Sequence, residues 1–478
     1  MNGIKLVPGA SVQGDSNSRH KQGDILNVRG FYDQDSHVMP ESLKEVRKEL
    51  IEGVECVWQE YVPSGYNGSK KVPLLISMHG GGQSGWGQCY ATSWYLVAER
   101  EGFIAVFPDA PDRATMEKRR GGAGDEFFDL CCEMVTALIA EMSKKYNIDA
   151  SRIYMQGMSM GDLETAYFSR KNSGVLAGAG CTAGPTDPDR IVKDGKFIGY
   201  TGPVPMYQAR GTNDSMSINP KYTRFEVNRL NRKYWMEQNG CEGVIPKLLV
   251  DSGECIAYWR GTKADFVYRD VFERGHGQTI DDAERAWQLL FSHTTVENGI
   301  IDAGEVPDFA DKNAIAVCGG SAKALIDNDI VELPHEVIVR EDWTKVPKFM
   351  LEGGPRPGPG EKPEMVDKLL GSTMYISVRS LSKLGWLVHE NGDTATIRYG
   401  GHTIDVAAGN TACIMDGKVE SMGRFAEFID GELYIPAKWM ARKVMRMHVC
   451  ETDGVMYIND KDGELTADMA GIIKEIIG

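Results

Sequence analysis

Arg152-Ile153-Tyr154-Met155-Gln156-Gly157-Met158-Ser159-Met160-Gly161 runs from a short apolar stretch into a Gly-x-Ser-x-Gly pentapeptide, and Leu163 to Arg170 continues at helical spacing. That order predicts strand, sharp turn, helix. Working outward, Leu74-Leu75-Ile76-Ser77-Met78 is a continuous apolar run that stops at three glycines, as a strand buried on both faces would. Phe103 to Phe107 repeats the pattern, and Val54 to Val62 alternates before Pro63. Ser93 to Arg100 and Phe127 to Tyr146 carry apolar residues at helical spacing. Strands alternating with helices of this length predict an α/β fold with a mostly parallel, doubly wound sheet.

The pentapeptide carries chemistry only in that setting. A turn this tight needs glycine on both sides of Ser159, stands the hydroxyl clear, and lets the next helix aim its amides at developing negative charge. His79-Gly80-Gly81-Gly82 ends the first buried strand. A glycine turn there can offer the Gly81 N–H to an oxyanion, with the Met160 N–H as the second donor. The base must be a histidine beyond Ser159. His293 sits near a helix end, whereas His276 lies in Glu273-Arg274-Gly275-His276-Gly277, a loop after the strand-like Phe266 to Phe272, and is preferred. The acid should fall between them. Asp214, in Gly211-Thr212-Asn213-Asp214 after Val204 to Ala209, is preferred over Asp251 and Asp270 because it stands at a strand end. Trp86, Tyr90, Trp94 and Tyr95 follow the glycine loop and either line an aromatic acyl pocket or pack the core.

These pieces together, with Phe107-Pro108-Asp109-Ala110 and Tyr146-Asn147-Ile148-Asp149-Ala150-Ser151-Arg152, resemble the α/β-hydrolase esterases that group polyhydroxybutyrate depolymerases with feruloyl and acetylxylan esterases. The resemblance covers residues 54 to 292. It implies an α/β-hydrolase fold, a Ser159, Asp214, His276 triad, an oxyanion hole at Gly81 and Met160, and no cofactor. It implies an ester substrate on plant-wall polysaccharide, with polyesters as the alternative; from their place just after the glycine loop, Trp86 and Trp94 are the candidate substrate contacts. Where the family usually has a second glycine after the elbow, this chain has Asp162, a carboxylate that suits a helix N-terminus but opposes an oxyanion. A surface-binding protein with a decayed hydrolase domain is the rival that Asp162 and the repeat domain after it support.

The α/β pattern closes after Asp281 to Phe291, and acidic, Gly/Pro-punctuated Val296 to Asp311 reads as a boundary. The domains expected are an extension over 1–50, a catalytic domain over 51–295 and an α+β domain over 312–478. In the last, Met374-Tyr375-Ile376-Ser377-Val378-Arg379 is echoed by Leu433-Tyr434-Ile435-Pro436-Ala437-Lys438, each a strand running into a helix. Hairpins follow at Asn391-Gly392 and Asp453-Gly454, the strongest short-range turn signals. Gly353-Gly354-Pro355-Arg356-Pro357-Gly358-Pro359-Gly360 is either a linker or a long loop. The repeat resembles the domain named after the N-terminal region of copper amine oxidases, which implies attachment to a polymer or cell surface and a secreted or surface-bound bacterial enzyme. The name implies no copper. His389, His402 and His448 have no ligand spacing, so no metal is expected.

The composition agrees. The chain has 478 residues, 42% hydrophobic and 25% charged, as in a globular protein. Fifty-three Lys and Arg against 68 Asp and Glu leave a net charge of −15, which argues against nucleic acid. No eighteen-residue apolar run is present, so no spanning helix is expected, and no signal peptide is visible at the start. None of the ten cysteines forms a CxxC pair; Cys241 and Cys255 flank a strand pair and are the candidates for a bridge.

Overall fold

A computed structural model describes residues 43–111, 125–199, 201–216, 218–279 and 281–478. Residues 1–42 of the extension expected over 1–50 lie outside the described residues. Two compact units form, residues 1–247 with 256–309, and residues 248–255 with 310–478.

In the first unit the elements follow in the order β1 Lys44–Ile51, β2 Val54–Tyr61, β3 Val72–Met78, α1 Gly85–Thr92, α2 Trp94–Glu101, β4 Ile104–Pro108, α3 Asp125–Lys145, β5 Ile148–Met158, α4 Met160–Lys171, β6 Gly178–Thr182, β7 Met206–Gly211, α5 Arg224–Asn239, β8 Glu254–Trp259 and β9 Phe266–Val271. The strands hydrogen-bond in the order β1-β2-β4-β3-β5-β6-β7-β9-β8. From β4 across to β9 each neighbouring pair is parallel, whereas β1 and β2 are antiparallel to each other and β2 to β4. The sheet is therefore mixed. Its central strands read as unbroken apolar runs because they have no wet side: Leu74, Leu75, Ile76 and Phe103 to Phe107 are fully buried. Parallel pairing sends every strand of this group the same way, so the loops after β3, β5, β7 and β9 emerge on one rim.

The second unit is built from antiparallel sheets. Met365–Ser377 of the first repeat copy pairs with Glu432–Pro436 of the second, Ile376 opposite Ile435. Each copy then turns into a short helical segment, Arg379–Leu384 and Ala437–Trp439 continuing to Met445. Val378, Leu381, Trp386, Ala437, Trp439 and Met440 from the two copies meet in one core. The hairpins appear where Asn-Gly and Asp-Gly mark them, Leu387–Asn391 with Thr394–Tyr399 and His448–Thr452 with Val455–Asn459. The Pro/Gly-rich stretch 353–360 lies between Ile338–Pro347 and Met365–Ser377, which pair from Ile338 opposite Tyr375 to Pro347 opposite Met365. It is a hairpin loop inside this unit.

Leu248–Cys255 belongs to the second unit through its backbone. Asp311 accepts from the Val250 N–H at 2.8 Å and donates its own N–H to the Leu248 carbonyl at 2.8 Å, and Asn459 donates to the Val250 carbonyl at 2.8 Å. None of the ten cysteines forms a disulfide. The bridge suggested between Cys241 and Cys255 is absent, because each thiol donates to a backbone carbonyl, that of Ala264 and that of Glu464 respectively.

Candidate active site

Ser159 sits between β5 and α4 with φ 55° and ψ −112°, a conformation costly for a residue with a side chain. The flanking glycines make it affordable in space. A Cβ on Gly157 would lie 2.0 Å from the Gly161 carbonyl oxygen, and one on Gly161 would lie 2.3 Å from that of Met78. The elbow is thus pressed onto the end of β3, and both positions exclude every larger residue. The Ser159 N–H is held by the Thr182 carbonyl at 2.9 Å.

Closeness of the two strand ends also brings the glycine loop to the elbow. A Cβ on Gly81 would stand 3.9 Å from the Cβ of Met160. The loop is fixed from several sides. His79 donates from Nδ1 to the Gly80 carbonyl at 2.7 Å, and its Nε2 accepts the Ala110 N–H at 2.9 Å, a pattern that requires neutral imidazole. Gln83 accepts the Gly80 N–H at 3.1 Å, and the Ser84 hydroxyl caps α1 by accepting from Gly87 at 3.2 Å.

His276 lies in the loop after β9 and brings two other sequence candidates together. The Ser159 hydroxyl reaches its Nε2 at 2.8 Å, and its Nδ1 donates to Asp214 Oδ2 at 3.1 Å. Asp214 follows β7 directly, and its other oxygen accepts the Met216 N–H at 3.0 Å. Burial pushes the Asp214 carboxyl upward, but the His276 and Met216 hydrogen bonds outweigh it and hold the group below the usual carboxylate range. Asp214, not Asp251 or Asp270, is the carboxylate on His276. His293, set aside on the sequence, hydrogen-bonds with the neighbouring Ser292 hydroxyl at 3.3 Å, and burial pushes it down to about 4.

Asp162 is buried together with Arg210 of β7, and the two pair at 2.9 Å. The same carboxylate oxygen accepts the Gly184 N–H at 2.8 Å. Burial raises the Asp162 carboxyl to about 6, with Arg210 acting against that rise. At neutral pH the Asp162 charge is therefore balanced by the guanidinium beside it. Nothing local in the sequence signalled Arg210, which reads as one more residue of an apolar strand.

The aromatic residues divide. Trp94 is fully buried, stacks on Phe291 at 5.9 Å and donates its indole N–H to Gln156 at 3.1 Å. Tyr95 is buried edge-on to Tyr61 at 6.0 Å. These are core positions, so the expected contact between Trp94 and substrate is replaced by packing. Trp86 is also buried, and its indole N–H has no hydrogen-bond partner among the described residues. The Tyr90 side chain lies outside the described part.

The chain is similar in part to several known proteins. Residues 362–452 match the copper amine oxidase N-terminal domain family. The chain is 26% identical over 249 residues to a bifunctional acetylxylan esterase/xylanase of Neocallimastix patriciarum, covering 51% of this chain and 34% of that protein. It is 27% identical over 245 residues to feruloyl esterase B of Piromyces equi, covering 48% and 43%. The chain thus spans less than half the length of these relatives. Among solved structures, the acetyl xylan esterase from Aspergillus awamori is 19% identical with a TM-score of 0.40, covering 52% of this chain and 99% of that one. A ferulic acid esterase from Anaeromyces mucronatus, solved with ferulic acid, is 16% identical with a TM-score of 0.35, covering 53% and 91%.

Proposed function

We propose that this chain is a serine carboxylic-ester hydrolase that releases acetyl or feruloyl groups from plant cell-wall polysaccharide. The observation that carries the reading is one imidazole, His276, bonded through Nε2 to the Ser159 hydroxyl and through Nδ1 to Asp214. Its homology to acetylxylan and feruloyl esterases supplies the substrate class.

In this reading Ser159 Oγ attacks the ester carbonyl as its proton passes to His276 Nε2. Asp214 holds the Nδ1–H tautomer and stabilises the imidazolium that forms. The N–H groups of Gly81 and Met160 receive the oxyanion, and the charge-balanced Asp162 leaves that position tolerable. The imidazolium then protonates the departing alcohol oxygen. Water, deprotonated by the same nitrogen, releases the acyl group and restores the serine. No helix among the described residues is long and apolar enough to cross a membrane, and the copper amine oxidase N-terminal-like domain would hold the enzyme at a polymer or cell surface.

Hydrolysis of p-nitrophenyl acetate by wild type and by Ser159→Ala tests the chemistry. Equal, slow rates would favour the decayed-hydrolase reading. Methyl ferulate, acetylated xylan and polyhydroxybutyrate film, compared by kcat/KM or release rate, test the substrate. Faster attack on the film than on either plant-wall ester would replace polysaccharide with polyester.

A further inference from the structure

Beneath the elbow lies a buried polar ring that the chemistry above does not use. Gln278 donates to the Gln88 side-chain oxygen at 2.8 Å, and Gln88 donates to the Ser77 hydroxyl at 3.0 Å. Ser77 donates to Gln156 at 2.9 Å, and Gln156 returns its amide to Gln278 at 3.2 Å. The Trp94 indole adds a donor to the same Gln156 oxygen at 3.1 Å. All five side chains are at least 98% buried. The donors of these four bonds point the same way round, so each polarises the next, and the Gln88 amide also reaches across to the side-chain oxygens of Gln156 at 3.3 Å and Gln278 at 3.5 Å.

The ring's members come from the three segments whose ends meet at the site. Ser77 lies on β3 shortly before Gly81, Gln156 on β5 three positions before Ser159, and Gln278 two positions after His276. Gln88, on α1, closes the circuit. On its other side the histidine loop is held by Asp282, which accepts from Arg274 Nη1 at 2.8 Å and from the Thr279 N–H at 3.0 Å. Three uncharged amides in an apolar interior are costly unless mutually satisfied, and a plain apolar core would be as stable. Hydrogen bonds do what apolar contact cannot: they fix relative position to a fraction of an ångström.

We infer that Gln88, Gln156 and Gln278 are positioning residues which set the His276 loop against the Ser159 elbow and the Gly81 loop. The inference rests on the serine-hydrolase reading. Displacement of the imidazole by about 1 Å is worth about 100-fold in rate. Methionine fills the space of glutamine without its hydrogen bonds, so Gln278→Met, Gln88→Met and the double variant make the test in the full-length protein.

Labelling of Ser159 by a fluorophosphonate probe reads the serine–histidine geometry independently of any natural substrate, and the labelled fraction counts folded sites. Each single variant is expected to label at least tenfold more slowly per folded site and to lose kcat on p-nitrophenyl acetate by a similar factor, with KM within twofold. The double variant should be no slower than the worse single one, since Gln88 and Gln278 bond each other and either substitution already removes that shared link. A merely structural role would lower the labelled fraction and leave the rate per site unchanged, and that result overturns the inference. So do effects that multiply in the double variant. If wild type labels no faster than Ser159→Ala, the hydrolase reading itself fails; if wild type labels and Gln278→Met matches it, only the positioning role fails. Should Gln278→Met not fold, Gln88→Met alone carries the same comparison.

Discussion

Replacing Asp162 by alanine tests whether the unusual residue after the elbow is half of an obligatory pair. In the wild type its carboxylate faces the Arg210 guanidinium at 2.9 Å and the Gly184 N–H at 2.8 Å, with both side chains almost completely buried. Alanine leaves the guanidinium without an anion and the N–H without an acceptor. Removing one member of a buried pair costs about 3–5 kcal/mol, most of it the stranded charge, and the orphaned N–H accounts for about 1–3 kcal/mol of that. For a unit of this size each kcal/mol moves Tm by about 2–4 °C, so a fall on the order of 10 °C is expected. Calorimetry of wild type, Asp162→Ala, Arg210→Met and the double variant makes the measurement. Asp162→Ala/Arg210→Met no longer buries a lone charge and should recover the part of the loss that the stranded charge causes, leaving the Gly184 N–H unsatisfied. A drop below about 1 kcal/mol for Asp162→Ala, or a double variant as unstable as Asp162→Ala, would show that the charge is not confined as described.

Other outcomes follow from single sites. Gly161→Ala would drive a Cβ to 2.3 Å from the Met78 carbonyl oxygen, so it should abolish the proposed hydrolysis of p-nitrophenyl acetate and lower Tm, whereas a wild-type rate would mean the elbow can open. Glu164 on the elbow helix is buried, and burial pushes its carboxyl up to about 8. Its folded form keeps a proton that the unfolded chain releases near 4.5, so the stability it contributes is present below that pH and is lost as pH rises towards 8. Glu164→Gln should remove this slope and raise Tm relative to wild type at pH 8.5; identical pH profiles from 5 to 9 would refute it. Cutting the chain after Thr295, the boundary read from the sequence, removes Asp311, Asn328 and Asn459, which bond the backbone of Leu248 and Val250. Water takes the place of those partners, so each lost hydrogen bond costs about 0.5–1.5 kcal/mol net; the fragment should melt below the first unit of the full chain, and an unchanged Tm would disprove that reasoning.

Some of this molecule was legible without coordinates because the relevant demands are local. Gly157 and Gly161 announce the elbow, since any side chain there would strike backbone. His79-Gly80-Gly81-Gly82 announces a loop that approaches it closely. Unbroken apolar runs announce strands with no wet face, and Asn391-Gly392 and Asp453-Gly454 announce their hairpins, with Gly392 and Gly454 at positive φ. Even the repeat could be read, although not that its two copies pair Ile376 with Ile435 in one sheet. What the chain alone left open depends on which residues arrive opposite one another. Arg210 meets Asp162, 48 positions away, and Gln278 meets Gln88 across 190, through strand order and register that no periodicity encodes. Trp94 was equally plausible as pocket or core until packing on Phe291 decided it. Cys241 and Cys255 stayed reduced because the fold gives each a carbonyl in place of the other thiol. Apolar patterning specifies which face a side chain takes; a polar side chain's partner is chosen only when tertiary structure brings one within about 3 Å of it and excludes water.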